Sequence, residues 1–219
     1  INTHSTYYGG ILGFTYRLGA VSIARCQNRG KIGGLVAPTG EAVIGGFAGG
    51  IVGYVSDLYA ARPIILVDCA NYGPVDGGKG AGGLFGGASF NYAYSSLELT
   101  ARNCANYGMI AVALEDGDKG EWIGDFGGVS KNPTRVTFGA WNCFFSTSAF
   151  AGVLGDEEMV HRENCVFADA EGFSAGAARK SLTAWAEENG LTPWIRTRLG
   201  VELSLFGIPY NPATIISIR

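Results

Sequence analysis

Short alternations of apolar and small polar residues recur along the chain, each running into a cysteine, with runs of glycine between them. The pattern is clearest at Ala20-Val21-Ser22-Ile23-Ala24, whose period of two is that of a half-buried strand. Val21, Ile64, Leu99 and Phe138 each stand five residues before a cysteine, which predicts one shared core column. After the first three of those cysteines comes a second short unit: Cys26-Gln27-Asn28-Arg29-Gly30, Cys69-Ala70-Asn71-Tyr72-Gly73 and Cys104-Ala105-Asn106-Tyr107-Gly108. Each unit leads to a glycine motif: Gly49-Gly50-Ile51-Val52-Gly53, Gly82-Gly83-Leu84-Phe85-Gly86 and the worn Ile123-Gly124-Asp125-Phe126-Gly127. A half copy, Gly9-Gly10-Ile11-Leu12-Gly13, opens the series, and Cys143 and Cys165, each preceded by Asn, close it without the Asn-x-Gly part.

The cysteines lie 43, 35, 39 and 22 residues apart. Recurrence on this scale is the signature of a repeat architecture, in which a unit buries its apolar face only against its neighbours. The prediction is an all-β chain, a β-solenoid of short parallel strands over residues 1–165, followed by a small cap over 166–219. Within the cap, Ala177, Ala178, Leu182, Trp185 and Ala186 form an apolar stripe that predicts a helix from Ser174 to Asn189-Gly190. Pro193, Trp194 and the alternating Val201-Glu202-Leu203 predict extended packing, and the tail is expected to cover the terminal strand edge.

The recurring side chains read first as structure. Asn28, Asn71 and Asn106 suit a turn and, stacked in register, form an amide ladder; Gly30, Gly73 and Gly108 supply positive φ or close approach of another coil. Tyr72 and Tyr107 then point outward, as solvated surface, lateral packing or a face for glycans and proteins. Cys26, Cys69, Cys104, Cys143 and Cys165 have no Cys-x-x-Cys or Cys/His metal spacing and predict a ladder of small thiols. Disulfides between them require one coil per repeat, since strand spacing is about 4.8 Å and two coils would put equivalent cysteines about 9.6 Å apart.

Composition narrows the function. The chain has 219 residues, 47% hydrophobic and 16% charged, with a net charge of −3, which gives no field for nucleic acid. No apolar run has the roughly 18 residues of a membrane helix. The chain starts inside a repeat with no leader pattern, which predicts a processed chain or a segment of a longer one.

Enzyme signatures are weak. The string Gly73 to Gly80 resembles a P-loop with Gly80 in place of its Ser/Thr, and Gly78-x-Gly80-x-x-Gly83 a dinucleotide fingerprint, but no helix is expected after either. Gly172-Phe173-Ser174-Ala175-Gly176 has the form of a nucleophile elbow, yet no His follows it, so Ser174 reads as a helix cap. Asp57, Asp76, Asp116, Asp118 and Asp125 are available to a carbohydrate-cleaving β-helix, and nothing in the spacing pairs them. No cofactor is expected; Asp116 and Asp118 could supply oxygens to Ca²⁺ but lack the twelve-residue calcium loop.

Repeated Gly-Gly-Ile/Leu-x-Gly alternating with Asn-Cys-x-Asn-x-Gly resembles the GLUG-motif repeat of bacterial surface proteins, over about residues 9 to 160. Asn142-Cys143-Phe144-Phe145, followed by Glu157-Glu158-Met159, is similar to the tail that closes such arrays. The resemblance implies a secreted or cell-surface bacterial β-solenoid of adhesin-like and protease-associated proteins, and supplies no catalytic residues. The resulting expectation is a non-catalytic binding or adhesion module whose partner is a glycan or a host or cell-surface protein. The alternatives are a fibre subunit stacking on copies of itself through an open strand edge, and a carbohydrate-active enzyme.

Overall fold

The computed structural model describes residues 6–16, 20–33, 46–57, 63–77, 80–90, 97–112, 123–124, 127, 136–146, 160–168, 177–197 and 200–203. The chain passes repeatedly through the same set of short strands. The first pass is β1 (Thr6–Gly9), β2 (Leu12–Tyr16), β3 (Val21–Ala24), β4 (Gln27–Asn28) and β5 (Ile32–Gly33). The second is β6 (Gly46–Gly49), β7 (Val52–Asp57), β8 (Ile64–Val67), β9 (Ala70–Asn71) and β10 (Val75–Gly77). The third is β11 (Gly80–Gly82), β12 (Ala88–Phe90), β13 (Leu97–Arg102), β14 (Ala105–Asn106) and β15 (Ile110–Val112). A fourth contributes β16 (Ile123–Gly124), β17 (Val136–Trp141) and β18 (Phe144–Ser146), and a fifth β19 (Val160–Glu163) and β20 (Val166–Ala168).

Each strand pairs in parallel with its equivalent in the next pass, giving five sheets, for example β3-β8-β13-β17-β19 and β4-β9-β14-β18-β20. The expected column is present: Val21 lies opposite Ile64, Ile64 opposite Leu99, and Leu99 opposite Phe138. The worn glycine motif sits one residue out of the expected alignment: Gly82 lies opposite Gly124 rather than Ile123, and Phe85 opposite Gly127 rather than Phe126. One Cys-to-Cys repeat is therefore one pass, and insertions such as 58–62 and 91–96 both link the sheet of β7 and β12 to that of β8 and β13. The core inside the strands is built from Ile51, Leu66, Leu84, Phe85, Leu99 and the middle cysteines, all fully buried.

The corner before each cysteine has a shared cause. Arg25, Asp68, Asn103, Asn142 and Asn164 all adopt left-handed backbone, with φ between 51° and 56°. Asn and Asp tolerate that conformation best among residues with a side chain, because their polar groups bond locally. Each such residue bends the chain from the sheet of β3 to that of β4 and its equivalents.

The C-terminal segment forms helix α1 (Ala177–Glu188) and an antiparallel hairpin, β21 (Trp194–Thr197) with β22 (Gly200–Leu203). Gly190, at φ 68°, ends the helix: its N–H donates to Glu187 O and that of Leu191 to Ala186 O, which satisfies two terminal carbonyls. The buried stripe is Ala178, Leu182 and Ala186, and it packs with Trp194 against Ala70, Ala105 and Phe144. These are residues of β9, β14 and β18, so the helix lies along the flank of passes two to four, where an end cover was expected. The boundary expected at 165 also shifts, because β20 pairs with β18 through Ala168. Ser174 lies outside the described residues.

Candidate functional site

The repeated Asn and the repeated glycines form one site. Asn28 Nδ2 donates to Asn71 Oδ1 at 2.8 Å, and Asn71 Nδ2 to Asn106 Oδ1 at 2.8 Å. Each amide also donates to the carbonyl of the glycine two residues on, Gly30, Gly73 or Gly108. The three side chains are buried, and the ladder is bonded along its length. The Gly-Gly motif makes room for it: a Cβ on Gly50 would lie 2.4 Å from Asn71 Cγ and 2.1 Å from Gly83 O. The two halves of the repeat are thus complementary, one supplying the amide and the other the space. Gly30, Gly73 and Gly108 are not among the positive-φ residues; close approach is the role of Gly73 and Gly108, whereas a Cβ on Gly30 would meet only Asn28 Oδ1, at 3.8 Å.

A second ladder runs along the outside of the left-handed corner. Asn142 Nδ2 donates to Asn103 Oδ1 at 2.7 Å, and Asn103 Nδ2 donates to Asp68 Oδ1. Helix α1 closes over it: Leu182 O accepts from Asn103 Nδ2, and Ser181 Oγ donates to Asn142 Oδ1 at 2.8 Å. Trp194 Nε1 reaches Asp68 Oδ1 at 3.4 Å, while Asp68 Oδ2 is buried without a hydrogen bond. Burial raises the Asp68 carboxyl above the ordinary aspartate range, against the lowering effect of the Asn103 and Trp194 bonds and of the Arg25 charge. The sequence signal for this ladder is the Asn before Cys104, Cys143 and Cys165; the left-handed turn lies there and not at the Asn two residues after the cysteine, where it was expected.

Tyr72 and Tyr107 point outward as expected, with rings stacked at 5.0 Å, but they pack against the helix cluster. Burial raises the Tyr107 phenol, and Arg29 sits over the Tyr72 ring at 5.3 Å. The pair is lateral packing under α1 and is not an open binding face. Cys26, Cys69, Cys104, Cys143 and Cys165 are free thiols in one column; Cys69, Cys104 and Cys143 are fully buried. Cys69 N donates to Cys104 Sγ at 3.4 Å, and burial holds the Cys104 thiol protonated.

A different aromatic surface was missed. Tyr7 stacks on Phe14 and on Tyr54, both at 4.6 Å, and Phe47 lies 4.5 Å from Tyr54. Phe14 is 41% exposed and Tyr7 and Phe47 are half-buried, so the cluster opens to solvent on the first two passes. Its signal was an aromatic directly after Gly13 and Gly53, and another two residues before Gly9 and Gly49.

Of the acidic candidates, Asp76 is the one whose side chain is described. Asp76 pairs with Lys31 at 3.4 Å on neighbouring passes. The backbone of Asp57 lies in β7, while Asp116, Asp118 and Asp125 lie outside the described residues. The P-loop string fails because Gly80–Gly82 is strand β11 and not the first turn of a helix. Among the described residues no helix is long and apolar enough to cross a membrane.

No family model matches the chain, and no curated protein sequence does. Among solved structures it is similar to a putative immunoglobulin A1 protease from Bacteroides ovatus, at 18% identity and a TM-score of 0.55. The likeness covers 91% of this chain and 53% of that one, so the chain spans about half the length of that protein, and it is a likeness of fold.

Proposed function

We propose that the chain is a β-solenoid segment of an extracellular bacterial surface protein, a binding module for a glycan or a cell-surface protein, with no catalysis of its own. The observation that carries this reading is where the repeat's polar chemistry goes. Asn28, Asn71, Asn106, Asn103 and Asn142 are all bonded inside the structure, which leaves surface aromatics and inter-strand insertions to meet a partner. Tyr7, Phe14 and Phe47 offer ring edges and faces of the kind that pack on sugars and on protein surfaces. The name of the similar solved structure belongs to a protein directed at an extracellular substrate, which agrees with the assignment to the cell exterior.

The test is binding of the purified chain to a glycan array and to a panel of cell-surface proteins, repeated with Phe14→Ser combined with a Gly-Ser replacement of 58–62. A bound partner lost in that variant, with the thermal midpoint retained, supports the reading. Binding that survives the variant unchanged removes the aromatic face, and turnover of an added polysaccharide or protein by the chain overturns the non-catalytic assignment.

A further inference from the structure

The first pass carries glycines that its own surroundings do not require. Two residues after the repeated Asn, a Cβ on Gly73 would lie 2.0 Å from Gly30 O, and one on Gly108 would lie 2.0 Å from Gly73 O. Each glycine there accommodates the carbonyl of the preceding pass. At Gly30 the nearest atom to such a Cβ is Asn28 Oδ1, at 3.8 Å. The glycine motif repeats the observation. A Cβ on Gly53 would lie 2.3 Å from Gly13 O and one on Gly86 2.3 Å from Gly53 O, whereas one on Gly13 meets only Tyr7 O, at 3.3 Å.

The amide ladder has the same open end. Every donor points from an earlier pass to a later one, so Asn71 and Asn106 each accept at Oδ1 from the Asn before. Asn28 Oδ1 accepts only from Gly30 N, at 3.2 Å, among the described residues. Strands β1 to β5 are each the last member of their sheet, and Ile11 above them is 46% exposed. Steric room, an acceptor open to a further amide and five strands that end their sheets among the described residues coincide.

We propose that this edge is an interface for a further coil of the same repeat, joined in line ahead of β1. That coil places an Asn side chain over Asn28, with its Nδ2 donating to Asn28 Oδ1, and seats main-chain carbonyls over Gly13 and Gly30. A second copy of this chain stacked end to end does not meet the specification. Asn106 lies opposite Phe145, and Phe145 opposite Phe167, so a copy docked by its last pass would set Phe167 over Asn28. The fifth pass also carries, among the described residues, strands of only two of the five sheets. The in-line link is short enough to be built, since β10 reaches β11 through residues 78–79 alone. The proposal uses strand register and stands apart from whether the chain binds a glycan.

The experiment joins a second copy of residues 46–79 ahead of Thr6 and follows amide hydrogen exchange and urea unfolding beside the parent chain. The expected result is slower exchange in β1 to β5, by about tenfold or more for amides that gain a partner, and a higher urea midpoint. Gly30→Ala and Gly13→Ala provide the register readout: each is near neutral in the parent chain and lowers the midpoint in the extended one. An added coil that exchanges freely overturns the proposal. So does an extended protein indifferent to Gly30→Ala, and so does head-to-tail filament growth by the parent chain in light scattering.

Discussion

The inner and outer amide ladders use the same residue type for different ends. Inside, Asn28, Asn71 and Asn106 bond one another and a glycine carbonyl two residues away, so the sequence pattern and the bonding pattern coincide. Outside, Asp68, Asn103 and Asn142 sit in left-handed backbone and bond partially to each other and partially to a helix more than thirty-five residues downstream. The inner ladder holds pass to pass; the outer one holds the tail to the stack. The contrast teaches that a recurring Asn can report either an inward-facing side chain or a backbone corner, and only its bonding partners separate the two.

Breaking the inner ladder at its centre has the largest effect. Asn71→Ala removes three side-chain bonds and leaves Gly73 O, Asn28 Nδ2 and Asn106 Oδ1 buried with a partner lost. Each such group costs about 1–3 kcal/mol, so the expected loss is about 3–5 kcal/mol in urea unfolding. A loss below about 1 kcal/mol would mean that water replaces the amide in the core.

The outer ladder gives the next effect and a different signature. Asn103→Ala forfeits the left-handed preference, about 1 kcal/mol, the bonds to Asp68 and Leu182 O and the one accepted from Asn142, for a total of about 2–4 kcal/mol. Asn103→Gly keeps the backbone and loses only the bonds, so it falls between Ala and the parent. In both variants the amides of α1 exchange faster than those of β3 and β8. Equal acceleration in helix and strands would show that the outer ladder serves the stack and not the tail.

The same comparison explains what could be read in advance. Cys26, Asn28 and Gly30 recur at fixed offsets because each faces its own equivalent in the next pass, so the sheets and the Val21, Ile64, Leu99, Phe138 column followed from spacing. The helix was visible in the stripe of Ala178, Leu182 and Ala186, but its seat was not, because periodicity identifies an apolar face without naming its partner. For the same reason lateral packing of Tyr72 and Tyr107 was legible as one of their readings, but the helix that covers them was not. The corner before the cysteine was obscured because Arg25 and Asp68 occupy it in the first two passes, where Asn103, Asn142 and Asn164 occupy it later.

Asp68 marks the one point where the outer ladder carries a carboxylate, and it yields a smaller effect that depends on pH. Its folded pKa is raised by burial, so folding takes up a proton: the stabilisation is full below the unfolded pKa and is lost as pH rises through the folded one. Asp68→Asn keeps the oxygen that accepts from Asn103 and Trp194 and replaces the buried charge with a neutral amide. The variant is therefore expected to have the higher urea midpoint at pH 7, with the gain shrinking as pH falls through the raised folded pKa and levelling off below the ordinary aspartate range. A gain that is flat with pH would assign the effect to packing, and a loss at pH 7 would show that attraction to Arg25 outweighs burial.

The cysteine column sharpens the comparison without altering stability. Cys69, Cys104 and Cys143 are fully buried between passes, whereas Cys26 and Cys165 stand at the two ends of the column and are half-buried. Thiolate is the reactive form; burial raises Cys26 and the contact with Cys143 raises Cys165, whereas the bond with Cys104 lowers Cys69, and Cys143, against the opposing effect of burial, is lowered by its sulfur neighbours. Acidity alone would therefore favour two of the central thiols, and the expected order rests on access. Alkylation of the native protein followed by mass spectrometry is expected to label Cys26 and Cys165 first, and the three central thiols only at urea concentrations that unfold the stack. The outer-ladder variant Asn103→Ala should leave that order unchanged, because it loosens the tail while the inner ladder still holds the passes together. Early labelling of Cys104 in that variant would show that the two ladders are one cooperative unit.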